Sequence, residues 1–371
     1  MNKKYFHIFI LLIVGIVFIS CTNSGKNPVS GTFNGLEKID DSIAYFIYLD
    51  DEGGVWYGDK DKTEVKKLKN DLSLEKTYKM PGAEIGLVKD GNIWAFQNYL
   101  LAKSENNGET WECFSKENYL NCNTLRQDYN FSIISSIISD GGSIFIGTYN
   151  GIYRSRDQGT TWERIYFNEK DQSLNQVFDI ISHNQTLYAS AEMAVDDPMS
   201  NIRYGILESK DSGYSWERSL VNDSIFFFAG GFDDRVYAYS RPGNTPLWAF
   251  WAKNSNEQWK LISYLPNIKE KGKGYCDFKF AISKTGDILG YCSLLVSEYK
   301  GGDFPSTDYL GVYLIKSHDN GNSWESIDIG DRINFVFDLR ILNSGDILLS
   351  TDQGIFKMIY DKIKNISKSQ P

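Results

Sequence analysis

From about residue 31 onward, apolar and polar positions alternate in runs of four to eight residues, separated by short turns rich in Gly, Asn and Asp. A period of two predicts half-buried β-strands, whereas an amphipathic helix would repeat every 3.6 residues. The clearest unit has four strands, at 132–139, 143–148, 151–155 and 161–165. Its third-strand phrase Gly151-Ile152-Tyr153 returns as Gly205-Ile206-Leu207, Gly311-Val312-Tyr313 and Gly354-Ile355-Phe356. Units of this kind fall near 31–68, 80–117, 131–168, 173–220, 223–263, 274–328 and 333–362. Seven four-stranded antiparallel sheets are expected. The last unit has three clear strands, and a strand at 31–39 is a candidate to complete it; the first unit would then be short, and six sheets stay open.

One short segment repeats at the same place in several units. Ser155-Arg156-Asp157-Gln158-Gly159-Thr160-Thr161-Trp162, Ser209 to Trp216 with Asp211, and Ser317 to Trp324 with Asp319 share Ser-x-Asp-x-Gly-x-[Ser/Thr]-Trp. A fourth copy carries Asn106 between Ser104 and Trp111, and a worn fifth keeps Asn254 and Trp259. The five Trp are 51, 54, 43 and 65 residues apart, a repeat of propeller-blade size. The motif resembles the Asp-box, or BNR repeat, of sialidases and other β-propellers. That resemblance implies an all-β fold, a seven-bladed β-propeller of four-stranded antiparallel blades, with the boxes joining third to fourth strands. We read the Asp residues as holding the turn, not as ligands, because an Asx-type turn, a Gly of positive φ and a Ser or Thr hydroxyl use the polar groups of the motif internally.

The chain starts differently. Lys3 and Lys4 precede an apolar run at 8–19 that is short for a membrane span and stops at Phe18-Ile19-Ser20-Cys21. This resembles a bacterial lipobox and implies a signal peptide at 1–20, lipidation of Cys21, a flexible tether at 21–32, a propeller at 33–362 and a tail at 363–371. The expected location is the cell envelope, lipid-anchored at the outer membrane and facing the periplasm or the outside, with the membrane met only through the N-terminal lipid. Removing 1–20 takes away two Lys and no acid, leaving 37 basic against 48 acidic residues and a charge of −11. Nucleic acid is not an expected partner for so acidic a protein. Cys113, Cys122, Cys276 and Cys292 remain, an even number compatible with two disulfides in an exported chain. Cys276 and Cys292 flank the turn Lys284-Thr285-Gly286-Asp287 and would face each other across a hairpin; two separate buried thiols are the alternative.

In such a blade the connections from second to third strand, and from blade to blade, share the face opposite the boxes. The longest segments, 116–130, 191–204, 240–247, 264–274 and 296–310, all belong to that far face, where binding residues collect. They supply the candidate ligand-binding residues Arg126, Arg203, Tyr204, Arg241, Tyr299, Asp303 and Tyr309. Arginine grips carboxylates and aromatic rings stack on sugar or side chains. Sialidases hold the substrate carboxylate with three arginines, but their Phe/Tyr-Arg-Ile-Pro motif is missing here, so no catalytic residue is transferred. Outside the signal the only histidines are His183 and His318, and no nucleotide loop or nucleophile elbow is found. No cofactor and no metal are expected. The expected function is a non-catalytic, lipid-anchored propeller that binds a protein or glycan partner through the far face, as resemblance to the photosystem II assembly factors also implies; the alternative is a sialidase-like glycoside hydrolase.

Overall fold

The computed structural model describes residues 36–359 except 60–61, 118, 120, 130, 167–175, 194–202, 223, 242–246, 267–274, 299–305 and 330–332; the side chains of 203, 275–277, 293–298, 306–311 and 327–328 are also outside the description. The expected signal peptide, Cys21, the tether, Tyr299, Asp303 and the tail at 363–371 therefore lie outside the described residues. All described elements are strands, in seven sheets.

The innermost strands are Ala44–Leu49, Glu84–Lys89, Ile134–Asp140, Val177–His183, Phe226–Phe232, Tyr275–Ile282 and Val336–Ile341. Each touches the next, and Val336–Ile341 touches Ala44–Leu49, which closes a ring of seven blades. Closure is made by the chain's own two ends: Leu36–Asp40 adds antiparallel to Gly354–Met358 as the fourth strand of the last blade. The first blade is nonetheless complete, because Leu74–Lys79 supplies its fourth strand. Blade one therefore runs from Ala44 to Lys79 and not from 31 to 68, and the six-blade alternative falls. The strand was illegible because of its composition: in Leu-Glu-Lys-Thr-Tyr-Lys only Tyr78 is buried.

Two further departures concern blades two and six. Blade two carries a fifth strand, Thr124–Arg126, which runs parallel to Glu112–Phe114. In blade six the strands Ile288–Glu298 and Ser306–Ser317 pair out to Glu298 opposite Ser306, so much of the segment expected as a long loop is an extended hairpin.

The apolar cores lie between blades, one for each of the seven junctions. The core between blades one and two joins Phe46, Trp56, Val65 and Tyr78 to Ile85, Ile93, Ala95 and Trp111. Comparable clusters link blades four to five and seven to one. Both sides of each blade are thus covered, which explains why the second strands read as near-continuous apolar runs such as Ser-Ile-Phe-Ile-Gly-Thr. A single blade would leave both of its faces wet, so stability depends on stacking and closure, as in repeat proteins.

The box turns rivet these junctions. In blade three the Ser155 hydroxyl accepts the Gly159 N–H at 2.7 Å, and Asp157 accepts the Thr161 N–H at 2.8 Å and its hydroxyl at 2.6 Å. Blades four and six repeat this with Ser209, Asp211 and Ser215 and with Ser317, Asp319 and Ser323. In blade two Asn106 accepts the Thr110 N–H at 2.9 Å and donates its amide to the Thr110 hydroxyl at 2.8 Å. Each turn then leans on the preceding blade. Gly159, at φ +84°, lies so close to Trp94 that a Cβ would overlap the indole. The Trp111 indole N–H donates to the Lys79 carbonyl at 2.9 Å, and Trp324 to the Ser263 hydroxyl at 3.0 Å. Trp162 meets Trp94 edge to face and Trp216 meets Tyr166.

Candidate functional site: the face opposite the boxes

The innermost strands begin on the far face, and five of the seven carry a β-bulge in their first three residues: at Tyr45, Gly86, Ser135, Phe178 and Phe337. A bulge re-aims a side chain. Tyr45 is 38% exposed between buried Ala44 and Phe46, and Phe337 is part-exposed between buried Val336 and Asp338. These side chains are turned out of the blade junctions and gather in aromatic groups. Tyr45 stacks on Phe337 at 4.5 Å, with Phe335 parallel to Phe337 at 6.2 Å. Phe178 meets Tyr149 at 6.1 Å and Tyr204 at 5.8 Å. Phe227, 37% exposed, meets Tyr239 and Trp248. The far face is therefore aromatic over blades three to five and over the junction of seven with one.

Below this layer sits a second device. Asp179 accepts the N–H of Phe228 in blade five at 3.0 Å and that of Ile180 at 2.9 Å. Asp338 accepts the N–H of Ile47 in blade one at 2.9 Å and is paired with Arg340 at 2.7 Å. Each carboxylate clips the innermost strand of the next blade. Solvent reaches part of the Asp179 side chain, but surrounding protein leaves the carboxylate poorly hydrated, and burial pushes its pKa up to about 6 against the pull of the two N–H donors. The signal was present in the sequence: Val177-Phe178-Asp179-Ile180 and Val336-Phe337-Asp338-Leu339 are the same phrase, one aromatic for the face and one carboxylate for the clip.

The candidate ligand-binding residues are placed unevenly. Arg126 is on the fifth strand of blade two, where it pairs with Asp128, donates to the Thr160 carbonyl in the box turn of blade three at 3.1 Å, and lies over the Phe114 and Tyr129 rings. Asp128 and burial pull its pKa in opposite directions, with Asp128 dominant and the value raised. It braces the second junction. Tyr204 does join the aromatic group, opposite Glu192 on the neighbouring strand, and burial followed by the Glu192 charge raises its pKa. Arg241 is exposed where the second strand of blade five ends. The backbone of Arg203 is opposite Met193 and that of Tyr309 opposite Leu295. Arg126 is thus held on the outer strand of blade two, away from the strands of blades four and five that carry the other two arginines. Sequence reasoning missed Tyr45, Phe178, Phe227 and Phe337, because it looked to the long loops instead of the strand starts, and Tyr149, because it sits in a short turn.

Cys113 and Cys122 form a disulfide with Cα atoms 5.7 Å apart, tying down the loop before the fifth strand. Cys292 is also disulfide-bonded. The register sets Cys292 opposite Phe278 and Cys276 opposite Leu294, so the two are diagonal and not directly facing. Among the described residues, no group of three His, Cys, Asp or Glu side chains could hold a metal ion.

No family model matches the chain. The photosystem II assembly lipoprotein Ycf48 of Synechococcus sp. (strain CC9902) is 22% identical over 271 residues, which is 65% of this chain and 74% of that protein. Among solved structures, YCF48 from Cyanidioschyzon merolae matches with a TM-score of 0.53 at 11% identity, covering 88% of this chain and 99% of that one. A streptogramin B lyase matches at 0.53 and 14% identity, covering 87% and 97%. The extracellular domain of a hybrid two component system of B. thetaiotaomicron matches at 0.56 and 16% identity; it covers 88% of this chain, which spans only 40% of that one. At these identities the likeness is one of fold. A lyase, a YCF48 and the extracellular domain of a two component system share it, so the fold alone does not set the function.

Proposed function

We propose that this chain is a non-catalytic propeller of the Asp-box class, tethered to the cell envelope through a lipid on Cys21, that holds an extended segment of a client protein on its far face. The observation that carries this reading is the set of aromatic side chains at the strand starts: Tyr45, Phe178, Phe227 and Phe337 lie part-exposed where a soluble monomer would ordinarily present polar residues. Aromatic anchors are the residues that dominate peptide and protein interfaces. Both the role and the tether of the relative named as a photosystem II assembly lipoprotein favour the same conclusion. The described part of the binding face is built from strand ends, which suits an extended peptide.

The test is a photo-crosslinking experiment on the full chain in its own envelope, comparing wild type with Phe178→Ala combined with Phe227→Ala. A client captured by the wild type and lost from the double variant, with unchanged thermal melting, supports the reading. Equal capture by both, or turnover of a fluorogenic sialoside by the purified chain, overturns it. Cys21→Ser should move the chain from the membrane to the soluble fraction; retention on the membrane sinks the lipid tether.

A further inference from the structure

On the same far face, between blades two and three, there is a slot of about 190 Å3 lined by Tyr99, Ser115, Lys116, Glu117, Tyr129 and Phe131. Its walls are built with more fixation than a surface dimple needs. Tyr129 and Phe131 are two residues apart, their rings parallel within 5° and 5.7 Å apart. Phe131 is pinned edge-on by Trp162 and Tyr153, and the Tyr129 hydroxyl accepts the Trp162 N–H at 3.0 Å. Ser115 to Glu117 follow the outer strand within the loop that the Cys113–Cys122 disulfide closes, and the Ser115 hydroxyl accepts the Glu117 N–H at 3.1 Å. Opposite them Tyr99, at the tip of the turn between second and third strands, is 51% exposed.

We propose that this slot binds a single uncharged pyranose ring of a glycan. The volume is below the roughly 300–1,000 Å3 of sites for drug-sized ligands, so one ring or one side chain is what it can enclose. The chemistry of the rim separates these two. An aliphatic side chain would press against Lys116 and Glu117 and give neither a hydrogen-bond partner. A pyranose lays its C–H face on Tyr99, the half-exposed ring of the slot, while its equatorial hydroxyls accept from the Lys116 ammonium and donate to the Glu117 carboxylate. The opposite charges of Lys116 and Glu117 cancel, so the rim exerts no net pull on an acidic sugar over a neutral one. This inference stands on Tyr99, Lys116 and Glu117 and not on the aromatic groups proposed above to hold a client.

The test uses the full chain in detergent with cello-, manno-, galacto- and chito-oligosaccharides, read by saturation-transfer NMR and titration. Binding to one neutral series is expected, weakened about tenfold by Tyr99→Ala, the loss of one aromatic face. Lys116→Ala should weaken it about threefold to tenfold through one hydrogen bond, and Tyr99→Phe should leave it nearly unchanged if stacking is the contact. Thermal melting checks that the variants fold. No binding of any neutral series at about 10 mM, binding indifferent to both Tyr99→Ala and Lys116→Ala, a preference for sialylated over neutral sugars, or Tyr99-dependent capture of peptides in place of sugars would each overturn the proposal.

Discussion

Ionised Asp179 should be a liability to the fold, and its removal should change how stability depends on pH. In an unfolded chain its carboxyl titrates near 3.8; in the ring, burial between the innermost strands of blades four and five raises that to about 6. A group whose folded pKa is raised contributes stability that is fully present below the unfolded value and is lost as pH climbs through the folded one. The difference of about two units corresponds to about 3 kcal/mol, an order-of-magnitude figure, lost between roughly pH 4 and 6.5. Asp179→Asn removes the titration. It also lowers the baseline, because an amide sets an N–H group where one carboxylate oxygen accepted a backbone donor, at a cost of about 1–3 kcal/mol. The readout is therefore the slope and not the level: urea unfolding of both proteins at half-unit steps from pH 4 to 7.5. The wild type minus variant stability should fall by about 3 kcal/mol across that window. Every other titrating group is common to both proteins and cancels. A difference that stays flat, or rises with pH, refutes the argument that burial outweighs the Phe228 and Ile180 N–H donors.

Four smaller expectations follow from the same geometry. Asp211→Ala removes the acceptor of the Ser215 N–H and hydroxyl, the bonds that hold its carboxyl down at about 2; chemical denaturation should show a lower midpoint. Gly159→Ala forces a Cβ into Trp94 and should cost about 3 kcal/mol, whereas Gly142→Ala, also at positive φ but with open space around it, should cost about 1 kcal/mol, as calorimetry can tell apart. Breaking the Cys113–Cys122 bridge, with nine residues of separation, should lower stability by about 2–3 kcal/mol through loop entropy, seen as a lower urea midpoint for Cys122→Ser. Asp338→Asn leaves Arg340 without its carboxylate and should cost about 1–3 kcal/mol at neutral pH, measured by the same unfolding curves.

Much of the ring was legible because its devices are local. A box turn needs five positions in eight residues, and the alternation that marks a strand needs six, so both survive in a single sequence. What was lost is what depends on partners far along the chain. Leu74–Lys79 is too polar to be read as a strand and exists because Glu64–Leu68 offers it an edge. Thr124–Arg126 runs parallel to its neighbour across a disulfide-closed loop, an arrangement that no turn signal announces. The binding face was sought in long loops, on the rule that loops carry function; the described aromatics instead sit at strand starts. There Phe178 and Phe337 follow a buried Val and precede a buried or clipped Asp. Periodicity reads such a residue as one more core position, and only the bulge turns it outward.

The two faces differ in how much freedom they leave to sequence. On the box side the hydroxyl, carboxylate, glycine and tryptophan of each turn are all engaged, within the turn or on the preceding blade. A change there must be felt at a junction, so that side is constrained by assembly before any ligand is considered. On the far face the constraint stops one residue lower, at Asp179 and Asp338, which hold neighbouring blades together through backbone N–H groups and place no demand on the side chain just before them. Position 178 or 337 could therefore be Ser, as at 135, or Gly, as at 86, without disturbing the clip. That Tyr45, Phe178, Phe227 and Phe337, each the second residue of an innermost strand, are part-exposed aromatics is not required by the fold. Stability alone favours polar residues on a solvent face, and that is the ground on which we propose a partner for Tyr45, Phe178, Phe227 and Phe337.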